Sequence, residues 1–288
     1  MQLDLQKHIG ELIGSQITKM THLSGGDISM AYCLYTKTSR YFCKINKANK
    51  AYSMFMVEKN GLEAINRTNT INAPEILFCG QYNTYSYLIM EYIEPKIPST
   101  KDMELLGHKL AAFHQPIREY FGWEIDNFIG SLPQSNKNHQ NWATFYIEER
   151  LEPQFKLARD ANLLKSSEIP SQNKMMVVCS ELYENVKSSF LHGDLWSGNY
   201  LISSTGIPYL IDPAVYFGHH EVDIAMTRLF GGFDPTFHKA YEETFPKQPM
   251  YNERNDLYQL YYLLVHLNLF GNSYYSSVIS ILKTYFNS

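Results

Sequence analysis

Apolar and polar positions along the first ninety residues come in short alternating runs, the pattern of half-buried strands. Residues 17–23 and 30–36 are strand-like, with the turn signal Ser24-Gly25-Gly26-Asp27 between them. A third strand, Tyr41 to Asn46, follows the polar turn Lys37 to Arg40. Residues 51–66 carry helical periodicity, and Pro74 helps to close the connection after them. Ile76 to Cys79 and Ser86 to Tyr92 read as two further strands around the turn Gln81 to Thr84. After Pro95 the period changes. Asp102 to His114 predicts a helix with an apolar face of Leu105, Leu106, Leu110, Ala111 and Phe113. A polar loop spans 133–141, and Trp142 to Ala161, Lys174 to Val186, 254–270 and 272–286 are helical. The passage from strand-rich to helix-rich near 92–97 predicts an α+β chain of two lobes, 1–92 and 93–288. A short hinge between two such lobes makes a natural ligand cleft.

Composition adds boundaries. The 288 residues are 44% hydrophobic and 19% charged, an ordinary globular balance with room for a sizeable core. A net charge of −4 argues against a nucleic-acid partner, which calls for a basic excess. Cys33, Cys43, Cys79 and Cys179 form no CxxC pair and sit beside no histidine cluster, so they read as buried thiols. The N-terminus lacks the basic start and apolar core of a secretory signal. Leu257 to Phe270, the most apolar stretch, is interrupted by Gln259, His266 and Asn268 and is too short to span a membrane. A reducing, cytoplasmic compartment and no membrane partner are the expectation.

The chemistry concentrates in Leu191 to Asp212, LHGDLWSGNYLISSTGIPYLID. Asp194 follows His-Gly, and Asn199 comes five residues later. Tyr200 to Ile202 and Pro208 to Ile211 read as a hairpin around Ser203 to Gly206. Antiparallel pairing puts positions 199 and 212 at the same open end, with Asp194 on the loop feeding it. Carboxylate and amide oxygens of this kind suit magnesium. The spacing is similar to that of kinases, in which an Asp takes the proton of the attacking hydroxyl and an Asn and a second Asp hold the metal. HGD stands where protein kinases have HRD, and Ile211-Asp212-Pro213 where they have Asp-Phe-Gly. A lone HGD is a weak signal; the combined string is a strong one.

Kinase chemistry also asks for a strand lysine and a helix glutamate. Lys44 lies between Cys43 and Ile45, where an unpaired charge would be costly to bury. Glu58 shares a helix face with Met54, Leu62 and Ile65 and supplies the partner. The rival, Glu63, points about 140° away on the wheel. Taken alone, a snorkelling Lys44 and an exposed Glu58 explain the pattern equally well; beside the downstream motif the ion pair is favoured. Gly25, Gly26 and Ser29 could let backbone N–H groups approach phosphate, though a plain hairpin turn is a fair alternative. Main-chain groups of Glu91 and Ile93, at the end of LIMEYI, are placed for a nucleobase edge.

These residues carry a resemblance. LSGGDIS, FCKIN, MFMVEKNGL, HGDLWSGNYL and IDPAVYFGHHEVDIAMTRLFGGF resemble the fructosamine kinase (ketosamine 3-kinase) family, a branch of the aminoglycoside and choline phosphotransferase superfamily. FIGSLPQ and NWATFYIEERLEPQ are similar as well, so the resemblance runs over essentially the whole chain. It implies a two-lobed protein-kinase-like fold: a small lobe with an antiparallel sheet and helix, and a larger, mainly helical lobe. It also implies ATP and Mg²⁺, and transfer of the γ-phosphate to the 3-hydroxyl of a free or protein-bound ketosamine, which is read as deglycation repair. By matching positions, Asp194 is the base, Asn199 and Asp212 hold the metal, and Lys44, held by Glu58, contacts phosphate. Trp196 could stack on the sugar or amine; packing beneath the loop is the equal alternative. His219 and Glu221 lie near the expected acceptor site or are ordinary surface residues. His192 fastens the catalytic loop, and Asp223 caps or anchors a nearby helix.

Some family members carry a cysteine in the Gly-rich loop that forms an intersubunit disulfide. Asp27 stands there, which disfavours such a switch, and a monomer or weak dimer is expected. The alternatives are a kinase of another small hydroxylated amine, or a nucleotide-binding protein without turnover.

Overall fold

The computed structural model of the chain describes residues 3–23 and 29–286. In chain order its elements are α1 (Leu3–Leu12), β1 (Lys19–Leu23), β2 (Met30–Tyr35), β3 (Arg40–Asn46), α2 (Ala51–Arg67), β4 (Ile76–Tyr82), β5 (Tyr85–Glu91) and α3 (Thr100–His114). There follow β6 (Asn127–Ile129), β7 (Leu132–Gln134), α4 (Trp142–Tyr146), a π-helical turn (Ile147–Leu151), α5 (Glu152–Asp160), α6 (Gln172–Leu182), β8 (Ser189–Leu191), β9 (Tyr200–Ile202) and β10 (Pro208–Leu210). The last elements are β11 (Tyr216–Gly218), α7 (Glu221–Leu229), α8 (Pro235–Glu242), α9 (Tyr251–Phe270) and α10 (Tyr275–Phe286).

Two compact units result, Met1–Asp102 with Gly198–Pro213, and Met103–Ser197 with Ala214–Ser288. The first holds an antiparallel five-stranded sheet in the order β1-β2-β3-β5-β4. One face is filled by Ile17, Leu34, Cys43, Ile45, Tyr87 and Ile89, closed by Leu5 and Ile9 of α1. That helix is absent from the sequence expectation. Its two buried residues, four apart, are too few for the periodicity to stand out. The hairpin β9–β10, far along the chain, is fastened to this unit by backbone. Lys96 donates to Ile202 at 2.9 Å, Ser204 to Glu94 at 2.8 Å, and Leu210 to Asn72 at 2.8 Å.

The second unit is helical around α9, whose Leu257, Leu260, Tyr261, Leu264 and Leu267 are wholly buried or nearly so. Asn141 caps α4 by accepting from the Thr144 N–H, and Asp234 caps α8 ahead of Pro235. The stretch expected as one helix from Trp142 is broken by the π-helical turn, in which i→i+5 bonding admits an extra residue. Strands β6, β7, β8 and β11, of three residues each, are too short to leave a period of their own. Helices α7 and α8, of nine and eight residues, also lie outside the sequence expectation. Among the described residues no helix is long and apolar enough to cross a membrane.

Candidate active site

Each unit carries part of the expected set. In the first, Lys44 sits at the middle of β3, opposite Ala31 on one side and Leu88 on the other. Its side chain is 12% exposed, so its ammonium needs partners. Nζ donates to Glu58 Oε1 at 2.7 Å and to Asp212 Oδ1 at 2.5 Å. Glu58 comes from the face of α2 that buries Phe55, Leu62 and Ile65. Met54, expected on that face, is half-buried. Glu63 pairs instead with Lys59 at 2.8 Å.

Burial opposes the charge on Lys44, but Asp212 and then Glu58 outweigh it and raise the ammonium above its usual range. Burial acts most strongly on Glu58 as well. Lys44 opposes the rise, Asp212 adds to it, and the carboxyl is pushed up to about 7.

The hairpin delivers the metal-ligand candidates. Pairing of Ile202 with Pro208 and Tyr200 with Leu210 continues into an Ile211 N–H to Asn199 O bond of 3.0 Å. Asn199 and Asp212 therefore flank the open end as the spacing predicts. Asp212 has φ +54, a left-handed conformation that Asp adopts more readily than most residues. Its side chain is 44% exposed, while Asn199 is buried. A half-exposed carboxylate and an amide oxygen form a hard, sparse donor set that fits Mg²⁺, which keeps several waters and takes substrate phosphates as further ligands.

In the second unit the HGD loop is gripped by its backbone. Asp223 Oδ2 accepts from the His192 N–H at 2.7 Å, and its Oδ1 from the Gly193 N–H at 2.9 Å. His114 Nε2 lies 3.1 Å from the same Oδ2. Tyr262 donates to Gly193 O at 3.0 Å, and the Ala214 N–H to His192 O at 2.8 Å. Gly193 has φ +82, and a Cβ there would fall 2.1 Å from Ala214 O, so no other residue fits. Asp194 follows this turn, half-buried, and its N–H donates to His192 Nδ1 at 3.2 Å. Burial would lift the Asp223 carboxyl, but His114 and the Gly193 N–H hold it below the usual range.

Trp196, two residues after Asp194, is 39% exposed, so the indole is available to a ligand. His219 is buried, its Nδ1 2.8 Å from the Tyr258 hydroxyl that accepts from Trp142 Nε1. Neighbouring Glu221 is no surface residue: it forms a buried two-pronged pair with Arg254, both bonds 2.7 Å. Ser29 Oγ accepts from Asn46 Nδ2 at 3.2 Å. The Glu91 N–H is taken by Glu75 O at 2.9 Å, and Ile93 is half-buried just beyond β5. Gly25 and Gly26 lie outside the described residues. His114 and Tyr262 escape sequence reading, because one ends a helix and the other is embedded in an apolar run.

The description "fructosamine kinase" belongs to the family model that matches residues 1–288. A probable ketoamine kinase of Synechocystis is 39% identical, the match covering 93% of this chain and 90% of the relative. The chloroplastic protein-ribulosamine 3-kinase of Arabidopsis thaliana is 41% identical over 94% of this chain and 83% of its own length. The crystal structure of a putative fructosamine-3-kinase of Haemophilus somnus superposes with a TM-score of 0.88 at 26% identity, covering 98% of this chain and 96% of the other. An aminoglycoside phosphotransferase at 16% identity, covering 98% of this chain and all of its own, shares the kinase-like fold with a TM-score of 0.64. With the strand lysine, the helix glutamate and the anchored HGD loop all in one chain, these matches have one reading: the chain belongs to the fructosamine kinase family.

Proposed function

We propose that the chain is an ATP-dependent ketosamine 3-kinase with Asp194 as its base. The observation that carries the reading is the pairing of Lys44 with Glu58, the strand-lysine and helix-glutamate pair that kinases use to hold a phosphate-binding lysine, with Asp212 beside it as the metal-ligand candidate. In the reaction, the 3-hydroxyl oxygen of the ketosamine bonds to the γ-phosphorus of ATP as the bond to the β–γ bridging oxygen breaks. Asp194 takes the hydroxyl proton and ADP leaves. Lys44, oriented by Glu58, offsets charge on the phosphate oxygens. Asn199 and Asp212 would hold Mg²⁺, which neutralises phosphate charge when bound. Trp196 offers its face to the protonated amine of the acceptor. Glycated amines, free or protein-bound, are the substrate class.

ATP consumption should be followed on fructosamine and ribulosamine adducts, with the phosphorylated position assigned by NMR. Phosphate on O3 is expected. Turnover of choline or an aminoglycoside without turnover of any ketosamine would overturn the proposal.

A further inference from the structure

Arg150 is a fully buried cation whose partners are all uncharged. It is 0% exposed and among the largest fully buried side chains. Nη1 donates to Ser135 O at 2.6 Å and Glu149 O at 2.9 Å, and Nη2 to Asn136 Oδ1 at 2.7 Å. Nε is buried without a hydrogen-bond partner. Among the described residues no carboxylate lies within ion-pair distance, because the adjacent Glu149 gives its carboxylate to His139 at 2.9 Å. Taking a guanidinium out of water without an anion costs several kcal/mol, so something else has to compensate. The compensation is aromatic: the guanidinium carbon lies 4.0 Å from the ring centre of Tyr216 and 4.7 Å from that of Phe145, and these two rings stack on each other. The π-helical turn carries Arg150 to this place.

Tyr216 connects the cation to the chemistry. It pairs across β11 and β8 with Leu191, the residue before His192-Gly193-Asp194. Its ring closes the space over Gly193, where a Cβ would lie 3.2 Å from Tyr216 Cε1. Its hydroxyl is buried, with the Arg150 guanidinium opposing the rise that burial gives the phenol. Beside it, Gln134 donates to Ala214 O and Asn127 to Val215 O, and Tyr261 donates to Gln134. The segments FIGSLPQ and IEERLEPQ thus meet beneath the strand that faces the HGD loop.

We propose that Arg150 is a positioning residue for phosphoryl transfer: its guanidinium plane presses Tyr216 against Gly193 and so fixes where the Asp194 carboxylate stands. The inference rests on Asp194 being the base. A displacement of about 1 Å at a reacting group can cost on the order of 100-fold in rate. The plane, not the charge alone, does this, and an ammonium cannot stack in the same way.

The test compares kcat and KM for Arg150→Lys, Arg150→Met and Tyr216→Leu with those of the wild type, alongside thermal melting. Arg150→Lys should fold and lose about tenfold or more in kcat, with KM for ATP and for a fructosamine held within about twofold. Tyr216→Leu should lose as much as Arg150→Met, with the double variant no worse than either single one. If Arg150→Met fails to fold, Arg150→Lys and Tyr216→Leu decide the matter. A folded Arg150→Lys with wild-type kcat, or a loss confined to KM, overturns the inference. A wild type without ketosamine turnover would instead defeat the proposed function, so the two failures are told apart.

Discussion

Lys44 stands closer to Asp212, at 2.5 Å, than to Glu58, at 2.7 Å. One ammonium therefore serves two carboxylates, and burial of Glu58, 14% exposed, with Asp212 adding to it, raises its carboxyl to about 7. A raised acid contributes stability that is complete below its ordinary 4.5 and is lost as pH rises through 7. Glu58→Gln cannot titrate and lacks this dependence. Between pH 4.5 and 8 the wild type should therefore lose unfolding free energy relative to the variant. Urea denaturation at pH 5 and pH 8 measures this, and parallel profiles would refute it. The same variant leaves Lys44 to Asp212 alone, and its KM for ATP should rise about tenfold.

Asp194→Asn separates the base from the nucleotide site. The base acts on the acceptor hydroxyl, so turnover should fall by about 100-fold or more while ATP affinity is preserved. Calorimetric ATP titration beside a coupled assay reads both. A variant that turns over at the wild-type rate removes Asp194 from the role given to it.

Asp212→Ala should do the opposite and weaken nucleotide binding itself, chiefly when Mg²⁺ is present. Titrations with and without the cation provide the comparison. An equal loss in both would mean that Asp212 acts through Lys44 and holds no metal.

The parts of this site that sequence made legible are those whose geometry is local. Lys44 and Glu58 sit in elements with clear periods of two and 3.6, and Asn199 and Asp212 are tied by a hairpin of fixed register. Asp223 and His114 are another matter. They meet from positions 109 apart, and no local pattern tells a histidine at the end of α3 to reach the HGD loop. Arg150 is hidden for a different reason, since a helical wheel at 3.6 residues per turn fails where the helix becomes π-helical. Helix α9 is buried on nearly every side, so its composition announces a core element while its contacts, such as Tyr262 with Gly193, stay unread.

Asp223 accepts from two backbone donors of the catalytic loop, and His114 adds a third contact. Asp223→Ala leaves buried donors unmet and should lower the unfolding free energy by about 3–5 kcal/mol. It should also lower kcat more than it raises either KM, because the loop that loses its clamp carries Asp194. Denaturant melts and steady-state kinetics would show both effects. A stability change below about 1 kcal/mol would mean that other contacts hold the loop.

His220 supplies a pH dependence of the opposite sign to Glu58. Its Nδ1 lies 2.9 Å from the Tyr241 hydroxyl, which also lies 2.7 Å from His114 Nδ1, and the Phe245 ring centre is 4.3 Å away. Burial first, then His114 and Arg254, push the imidazole down to about 3. A depressed histidine stays neutral in the fold but takes a proton near 6.5 once unfolded. The stability it contributes is therefore present above 6.5 and is lost as pH falls toward 3. His220→Gln keeps an N–H for Tyr241 and has nothing to titrate. Relative to that variant, the wild type should lose about 1.4 kcal/mol for each pH unit below 6.5. Chemical denaturation of both proteins at pH 7, 6 and 5 reads the difference directly. Profiles that stay parallel across that range would mean that His220 is protonated in the native protein and that its environment differs from the one described.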